Sequence, residues 1–364
     1  GSATSAEDGT WSVPVPGPGT YRVALDVGSL PDGVAPTDPD RTELDNVEVR
    51  SGQEKVVRFQ LGPGRVVESD PWARAGNLFI VGLRVGSIIA LSAIGLSMIY
   101  GVTGLVNFAH GELITLGAVI TWWFNALLGW HLVIAAIPGV FAVAAFGGAQ
   151  ERWLWLPLRR RRSGTVALIV VSIGLSFLIR YGFVLVPFGG IPQSYRQYAI
   201  QEPWRFLGLE ATPKTVFIIV ASIVILGLVG LALQRSRIGM AMRAVSDNPD
   251  LARSSGIDVN RVILWTWIFG AGLAALGGVF FGVSEGVEWQ MGFRLLLMVF
   301  VAVVLGGLGS PYGAMLGGLL IGVLVEMSTL WLSVEFKNVI ALGAMIVMLL
   351  FRPQGLLGQR ERIG

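Results

Sequence analysis

From Leu78 onward the chain alternates between long apolar runs and short polar breaks. The runs cover about 78–100, 104–125, 131–151, 165–186, 215–233, 262–283, 294–309, 311–332 and 336–351. Each is near the ~20 residues an α-helix needs to cross a bilayer. The seventh is short and abuts the eighth through Gly306, Gly307 and Gly309, so a broken or re-entrant element is expected there and the span count is eight or nine. Residues 1–70 follow a different period. Trp11, Val13 and Val15, then Tyr21, Val23, Leu25 and Val27, then Val47 and Val49, then Val57, Phe59 and Leu61 alternate along the chain, with Pro-Gly and Asp-Gly pairs such as Asp32-Gly33 as turn signals. Period-two alternation between turn residues predicts strands of a small antiparallel β domain. The expected architecture is therefore a polytopic α-helical membrane domain at 71–364, preceded by a small β-sandwich-like domain at 1–70.

One run is not uniformly apolar. Residues 95–118 read GLSMIYGVTGLVNFAHGELITLGA and carry Asn107, His110 and Glu112 into a hydrophobic stretch. A charge at the bilayer centre costs about 2.5–3.5 kcal/mol on insertion scales, so such groups face protein or a water-filled path. Two readings stand: a polar turn between ordinary spans, or a polar element of a transport pathway. In the second, a structural or gating role for His110 and Glu112 ranks ahead of direct substrate contact. Arg84, Arg180 and Glu326 are the other ionisable groups within the runs. Arg84 lies near the outer end of its span, where its stem can snorkel. Arg180 and Glu326 sit deeper and need partners, either each other or neighbouring polar groups. Gly313-x-x-x-Gly317 and Gly278-x-x-x-Gly282 put small residues on one helix face, which predicts close helix packing. A flexible, pathway-lining element at Gly306, Gly307, Gly309 and Gly313 is the second reading. Trp122, Trp123, Trp130, Trp153, Trp155, Trp204 and Trp331 stand near helix ends, as interfacial anchors do.

Composition agrees with a bilayer as solvent. The chain is 53% hydrophobic and 14% charged, where a soluble domain carries about 25% charged residues. Twelve of the 24 acidic residues and only six of the 27 basic ones fall within residues 1–70. The basic excess thus belongs to the loops between spans: Arg152 and Arg159–Arg162, then Arg235, Arg237, Arg243, Arg253 and Arg261, then Arg352, Arg360 and Arg362. The positive-inside rule places these three regions in the cytoplasm. Nine spans then put the acidic N-terminal domain outside and the C-terminus inside. Such a charge pattern gives no reason to expect nucleic-acid binding. With no cysteine and only His110 and His131, neither a disulfide framework nor a thiolate or histidine metal centre is expected, and no cofactor is implied.

The 234–261 loop, QRSRIGMAMRAVSDNPDLARSSGIDVNR, is too polar to cross a membrane and too long for a turn. Asp247 or Asn248 can cap a short helix with Pro249 at its first position. That helix, about 249–255, would end at Gly256 as the residue after the C-cap. A short amphipathic helix of this kind suits docking into a partner groove, the alternative being a solvated connector.

The loop, with Ala252-x-x-x-Gly256 and the hydrophobic span after it, resembles the coupling segment of bacterial ABC-importer permeases. Together with NFAHGE at 107–112 and LGGLGSPYGAMLGGLLIG at 305–322, it is similar to the branched-chain amino acid permease family, in particular its H-type subunit. The resemblance covers roughly 80–358. It implies half of a translocation pathway in the bacterial plasma membrane, working with a homologous second permease, two cytosolic ATPases and an extracytoplasmic substrate-binding protein, amid membrane lipid. It also implies coupling to the ATPases through Arg243, Asp247, Asn248, Pro249, Ala252 and Gly256, across a helix at 243–258 that rocks the fifth and sixth spans. A phosphate-cradling G-x-x-x-x-G-K-[ST] is absent, so ATP hydrolysis is expected in partner subunits and the chain is not read as an enzyme. Urea or short-amide import is the alternative within this architecture; an ATPase-independent channel or secondary transporter is the alternative outside it. The run DGTWSVPVPGPGTYRVALD looks like the second half of a carboxypeptidase-regulatory-like β-sandwich, without that fold's usual opening strands.

Overall fold

The computed structural model describes residues 1–5, 11–30, 34–36, 42–49, 57, 59, 61–63, 71–185, 192–198, 201–206 and 208–358. Two compact units are present, Gly1–Pro71 and Trp72–Gly364. In the first, β1 (Gly19–Ala24) pairs antiparallel with β3 (Glu43–Val49), with Tyr21 opposite Val47 and a register shift between Tyr21 and Val23. A second small sheet joins β2 (Val34–Pro36) to β4 (Leu61–Pro63). Among the described residues these two two-stranded sheets are the β-structure of this unit. The strand expected at Trp11–Val15 does not form. Pro14, Pro16 and Pro18 remove the backbone donors a ladder would need there. Trp11 instead packs near Phe59, ring centroids 6.4 Å apart. The turn signal at Asp32-Gly33 and the tail arginines Arg360 and Arg362 lie outside the described residues.

The second unit is helical: α1 (Pro71–Thr103), α2 (His110–Trp122), α3 (Leu132–Gln150), α4 (Leu156–Arg160), α5 (Thr165–Val184), α6 (Pro213–Arg235), α7 (Arg237–Asp247), α8 (Pro249–Ser254), α9 (Val259–Glu285), α10 (Met291–Gly306), α11 (Pro311–Ser328) and α12 (Lys337–Phe351). A short hairpin of β5 (Trp204–Phe206) and β6 (Leu209–Ala211) precedes α6. Among the described residues, seven helical stretches are long and apolar enough to cross a membrane: Pro71–Thr103, Leu132–Arg160, Thr165–Val184, Pro213–Arg235, Val259–Glu285, Pro311–Ser328 and Val334–Phe351. Helices α2 and α10 are shorter. The apolar run expected from residue 104 becomes helical only at His110, because Gly104 (φ +66°) turns the chain out of α1.

Helix α9 packs on α2 and α3 and meets α1 where Gly95 faces Gly270 and Ser92 faces Gly277. Missing side chains allow this: a Cβ on Gly278 would lie 1.9 Å from the Ile114 carbonyl oxygen of α2. Of the tryptophans expected at interfaces, Trp123, Trp130, Trp153, Trp204 and Trp331 are exposed, whereas Trp122 and Trp155 are buried. Trp155 stacks on Trp267 of α9, 5.7 Å between centroids, so its role is in the core.

The peripheral helices are held by ion pairs. Arg180 of α5 meets Glu112 of α2, and Lys337 at the start of α12 meets Glu326 of α11 at 2.7 and 2.8 Å. Of the two pairings open to Arg180 and Glu326, neighbouring charges win and the two do not pair with each other. Arg84 of α1 reaches Glu285 of α9 at 3.1 Å instead of only extending toward an interface.

Candidate functional site

Between α1 and α2 the backbone leaves helical geometry, exposed at Gly104 and buried at Leu105, Asn107 and Ala109. Irregular backbone at membrane depth is tolerated only where protein or a cavity satisfies it, and here side chains do so. Thr103 Oγ1 accepts from Leu105 N at 3.1 Å, and Asn107 Oδ1 accepts from Ala109 N at 3.0 Å, closing the turn that starts α2. The Phe108 amide donates to Ser172 Oγ of α5 at 3.2 Å. Asn107, His110 and Glu112 are all completely buried.

His110 and Glu112 do not act on a common neighbour. Residues two apart on a helix face away from each other, and the chain uses both directions. His110 Nε2 lies 3.0 Å from the Ser92 carbonyl of α1; a carbonyl only accepts, so the Nε2 position carries the proton. Glu112 turns toward α5, where Oε1 accepts from Ser176 Oγ at 3.0 Å and from Arg180 Nε and Nη2 at 2.9 and 2.7 Å. Arg180 also lies over the Phe293 ring of α10, 3.7 Å from its centroid. One guanidinium therefore joins α5, α2 and α10. Among the described residues Asn107 Nδ2, His110 Nδ1 and Glu112 Oε2 have no hydrogen-bond partner, leaving polar capacity within an apolar interior.

Ser172, Ser176 and Phe293 were not singled out from sequence. Ser172, Ser176 and Arg180 recur every four residues, a polar stripe on an otherwise apolar helix, and that spacing was the available signal. Among the described residues no three His, Asp or Glu side chains cluster as metal ligands would.

The glycine-rich segment is a tight turn. Helix α10 ends at Gly306, Gly307 (φ +113°) and Gly309 (φ +77°) reverse the chain, and Ser310 caps α11 by accepting from Gly313 N at 3.1 Å. Gly306 and Gly313 touch: a Cβ on either would fall 2.1 Å from the other's carbonyl oxygen. The following tail closes the turn, with Leu356 and Leu357 amides donating to Leu305 and Gly306 carbonyls at 2.9 Å.

In the 234–261 loop, two helices stand where one at 243–258 was expected. Asn248 is extended (φ −159°) and separates α7 from α8. Its Oδ1 accepts from Asp250 N and Leu251 N at 3.1 and 2.9 Å, and Pro249 takes the first helical position. At the other end Gly256 (φ +85°) donates to the Arg253 carbonyl, and Ile257 to the Ala252 carbonyl, at 3.1 and 3.0 Å. This is a Schellman stop. Ala252 is buried, whereas Asp247, Asn248, Pro249, Leu251 and Gly256 are exposed. Arg243 of α7 donates to the Gln234 carbonyl of α6 at 3.1 Å. Ser246 lies beside Gly101 at the end of α1, which also faces Gly309: a Cβ on Gly101 would meet each at 3.2 Å.

A bundle of apolar helices with a protein-buried polar segment and an exposed, doubly capped turn defines a polytopic α-helical membrane protein of the permease kind. Residues 78–349 match the family described as branched-chain amino acid transport system / permease component, and the chain belongs to that family. It is similar to the high-affinity branched-chain amino acid transport system permease protein LivH of Escherichia coli (strain K12), 35% identical over 294 residues, 77% of this chain and 94% of that protein. The corresponding protein BraD of Pseudomonas aeruginosa is 35% identical over 299 residues, again 77% and 94%. LivM of Escherichia coli (strain K12) is more distant, 25% identical over 296 residues, 74% of this chain and 68% of LivM. No solved structure matches the chain. The chain is accordingly a permease subunit of an ABC importer and not itself an enzyme.

Proposed function

We propose that this subunit forms half of a translocation pathway for branched-chain or related amino acids in the bacterial plasma membrane. The observation that carries the reading is similarity along nearly the whole length of proteins named for that transport. A homologous second permease is the expected partner, since LivH and LivM, two permeases of one transport system, both resemble this chain. Two cytosolic ATPases and an extracytoplasmic binding protein complete the assembly. Helices α2 and α10 join the seven long helical stretches as shorter crossings, giving nine spans with the N-terminal unit outside and the C-terminus inside. The N-terminal unit, a β module of carboxypeptidase-regulatory kind on this reading, faces the binding protein's compartment.

Coupling enters at Arg243, Asp247, Asn248, Pro249, Ala252 and Gly256. Closure of the ATPases presses α8, and the load passes through α7 to α6 by the Arg243 contact and to the ends of α1 and α10 by Ser246, Gly101 and Gly309. Rocking of α6 and α9 then switches access between the two sides. Asn107, His110, Glu112, Gly306, Gly307, Gly309 and Gly313 belong to the pathway or its gate on this reading.

The test is uptake by proteoliposomes holding the transporter purified from its host, with radiolabelled leucine, isoleucine, valine and urea as cargo. ATP-dependent uptake of leucine is expected. Asp247→Lys, at an exposed position, should leave assembly intact and remove the dependence of ATP hydrolysis on cargo. Proton-driven uptake by the chain alone would overturn the ABC reading; uptake of urea without leucine would overturn the substrate class.

A further inference from the structure

The non-helical segment before α2 has two faces. Leu105, Asn107 and Ala109 are buried, whereas Val106 and Phe108, alternating with them, are only half-buried. The segment also runs deep in the bundle. The Phe108 amide meets Ser172 in the middle turns of α5, and the Phe108 ring packs on Phe300 in the middle turns of α10, 5.2 Å between centroids. One face of an irregular stretch of chain thus belongs to the molecular surface at the level of the hydrocarbon.

The helices on either side turn aromatic rings to that face. Arg180, 6% exposed, is flanked by Phe177 of its own helix and Phe293 of α10, 5.4 and 3.7 Å from the ring centroids, and both rings are 49% exposed. On α10, Phe293, Leu297 and Phe300 follow the i, i+4, i+7 spacing of a single helix face. On α5, Tyr181 stacks on Phe177 at 6.3 Å. Aromatic surface therefore extends from Tyr181 to Phe108, and the charge of Arg180 beneath it is met by Glu112. Lipid does not suit such a face. Irregular backbone at membrane depth stands against protein or a water-filled cavity, because hydrocarbon satisfies neither N–H nor C=O. The buried side favours water: among the described residues Asn107 Nδ2 and His110 Nδ1 have no hydrogen-bond partner there.

We infer that the face carrying Val106, Phe108, Phe177, Phe293 and Phe300 is this subunit's wall of the translocation path and is bathed in water during the transport cycle. The inference rests on the importer reading above and deepens it. Asn107, His110 and Glu112 stand behind this wall and hold it in place. Aromatic rings over a neutralised charge pair suit cargo with an aliphatic side chain. The rings meet its apolar part, and no net fixed charge detains its zwitterionic head.

The experiment is thiol labelling of the whole transporter in nanodiscs, open to solution on both sides, during ATP turnover with leucine-loaded binding protein. The reagent is the water-soluble cation 2-(trimethylammonio)ethyl methanethiosulfonate. Because the chain has no cysteine, the mass of this subunit reports the introduced thiol alone. Phe108→Cys, Phe293→Cys and Leu297→Cys are compared with Val347→Cys on the exposed side of α12. The first three should react at least about tenfold faster than the α12 control, since only the thiolate attacks and hydrocarbon suppresses its formation. ATP hydrolysis stimulated by the loaded binding protein should fall as Phe293→Cys is labelled, relative to the unsubstituted transporter treated alike. Dithiothreitol should restore it, which separates obstruction of the path from misfolding. Rates at all three positions no faster than at Val347→Cys overturn the inference, whether lipid or the second permease covers the face. Full stimulated hydrolysis after complete labelling overturns it as well. With leucine uptake by the unsubstituted transporter intact, either result refutes the wall alone; absence of any amino-acid uptake by that transporter refutes the broader reading.

Discussion

Arg180 is where single side chains matter most in this fold. It and Glu112 are both almost wholly buried, and each is the other's counter-charge. Removing one partner of such a pair strands a charge at a cost of about 3–5 kcal/mol, whereas replacing both by apolar groups is often near neutral. Glu112→Ala should therefore lower the melting temperature of the detergent-solubilised chain more than the double variant Glu112→Ala, Arg180→Met does. Equal losses in the two would show that the pair does not act as a unit. The cost of these charges was legible in sequence, because hydrocarbon penalises any unpaired charge. The partner was not. Whether Arg180 meets Glu112 or Glu326 depends on which helices are neighbours, and nothing local to residue 180 encodes that. The opposite facing of His110 and Glu112 was readable from their spacing once α2 was known to start at His110.

Among the elements, α8 shows how far local chemistry reaches. Its cap and Pro249 start lie within one turn at one end and its Gly256 stop within one turn at the other, so sequence sufficed to anticipate the start and the stop and to narrow the cap to Asp247 or Asn248. The break from α7 needed more, since the extended Asn248 that caps one helix also ends the other. The N-terminal strands were the least legible elements: alternation at Trp11–Val15 competes with prolines that lack donors, and period alone does not weigh the two. For α8 the caps carry a prediction. Asn248→Ala should cost about 1 kcal/mol of cap stabilisation, and Gly256→Val, placing a branched side chain at φ +85°, about 1–2 kcal/mol. Hydrogen exchange read by mass spectrometry should quicken at 249–257 in both variants and stay unchanged in α9. Faster exchange throughout the bundle would mean that α8 is part of the core and not a separately ordered docking element.

At the scale of the whole molecule, small residues set the inner bundle, where one ion pair, Arg84–Glu285, also joins α1 to α9, and ion pairs tie on the outer helices α5 and α12. Close backbone contact needs no charge and suits α1 and α9, 61% and 67% buried along their apolar windows; α12, at 6%, has little packing to hold it and uses Lys337–Glu326. The same arrangement bears on topology. Helix α10 is about 24 Å long at 1.5 Å per residue, short of the ~30 Å hydrocarbon core. An interior helix can nevertheless cross, because its ends are covered by protein and its last carbonyls are met by Leu356 and Leu357. Counting α2 and α10 as crossings gives nine and puts the two termini on opposite sides; dropping either gives eight and puts them on the same side. Because the chain has no cysteine, each introduced thiol is its sole label. Ser29→Cys and Ser333→Cys should react with a membrane-impermeant maleimide in intact cells, and Ser254→Cys and Pro353→Cys only after permeabilisation; all four positions are exposed in the fold. Matching reactivity at Ser29→Cys and Pro353→Cys would reduce the count to eight, and the position at which the alternation fails would identify which short helix does not cross.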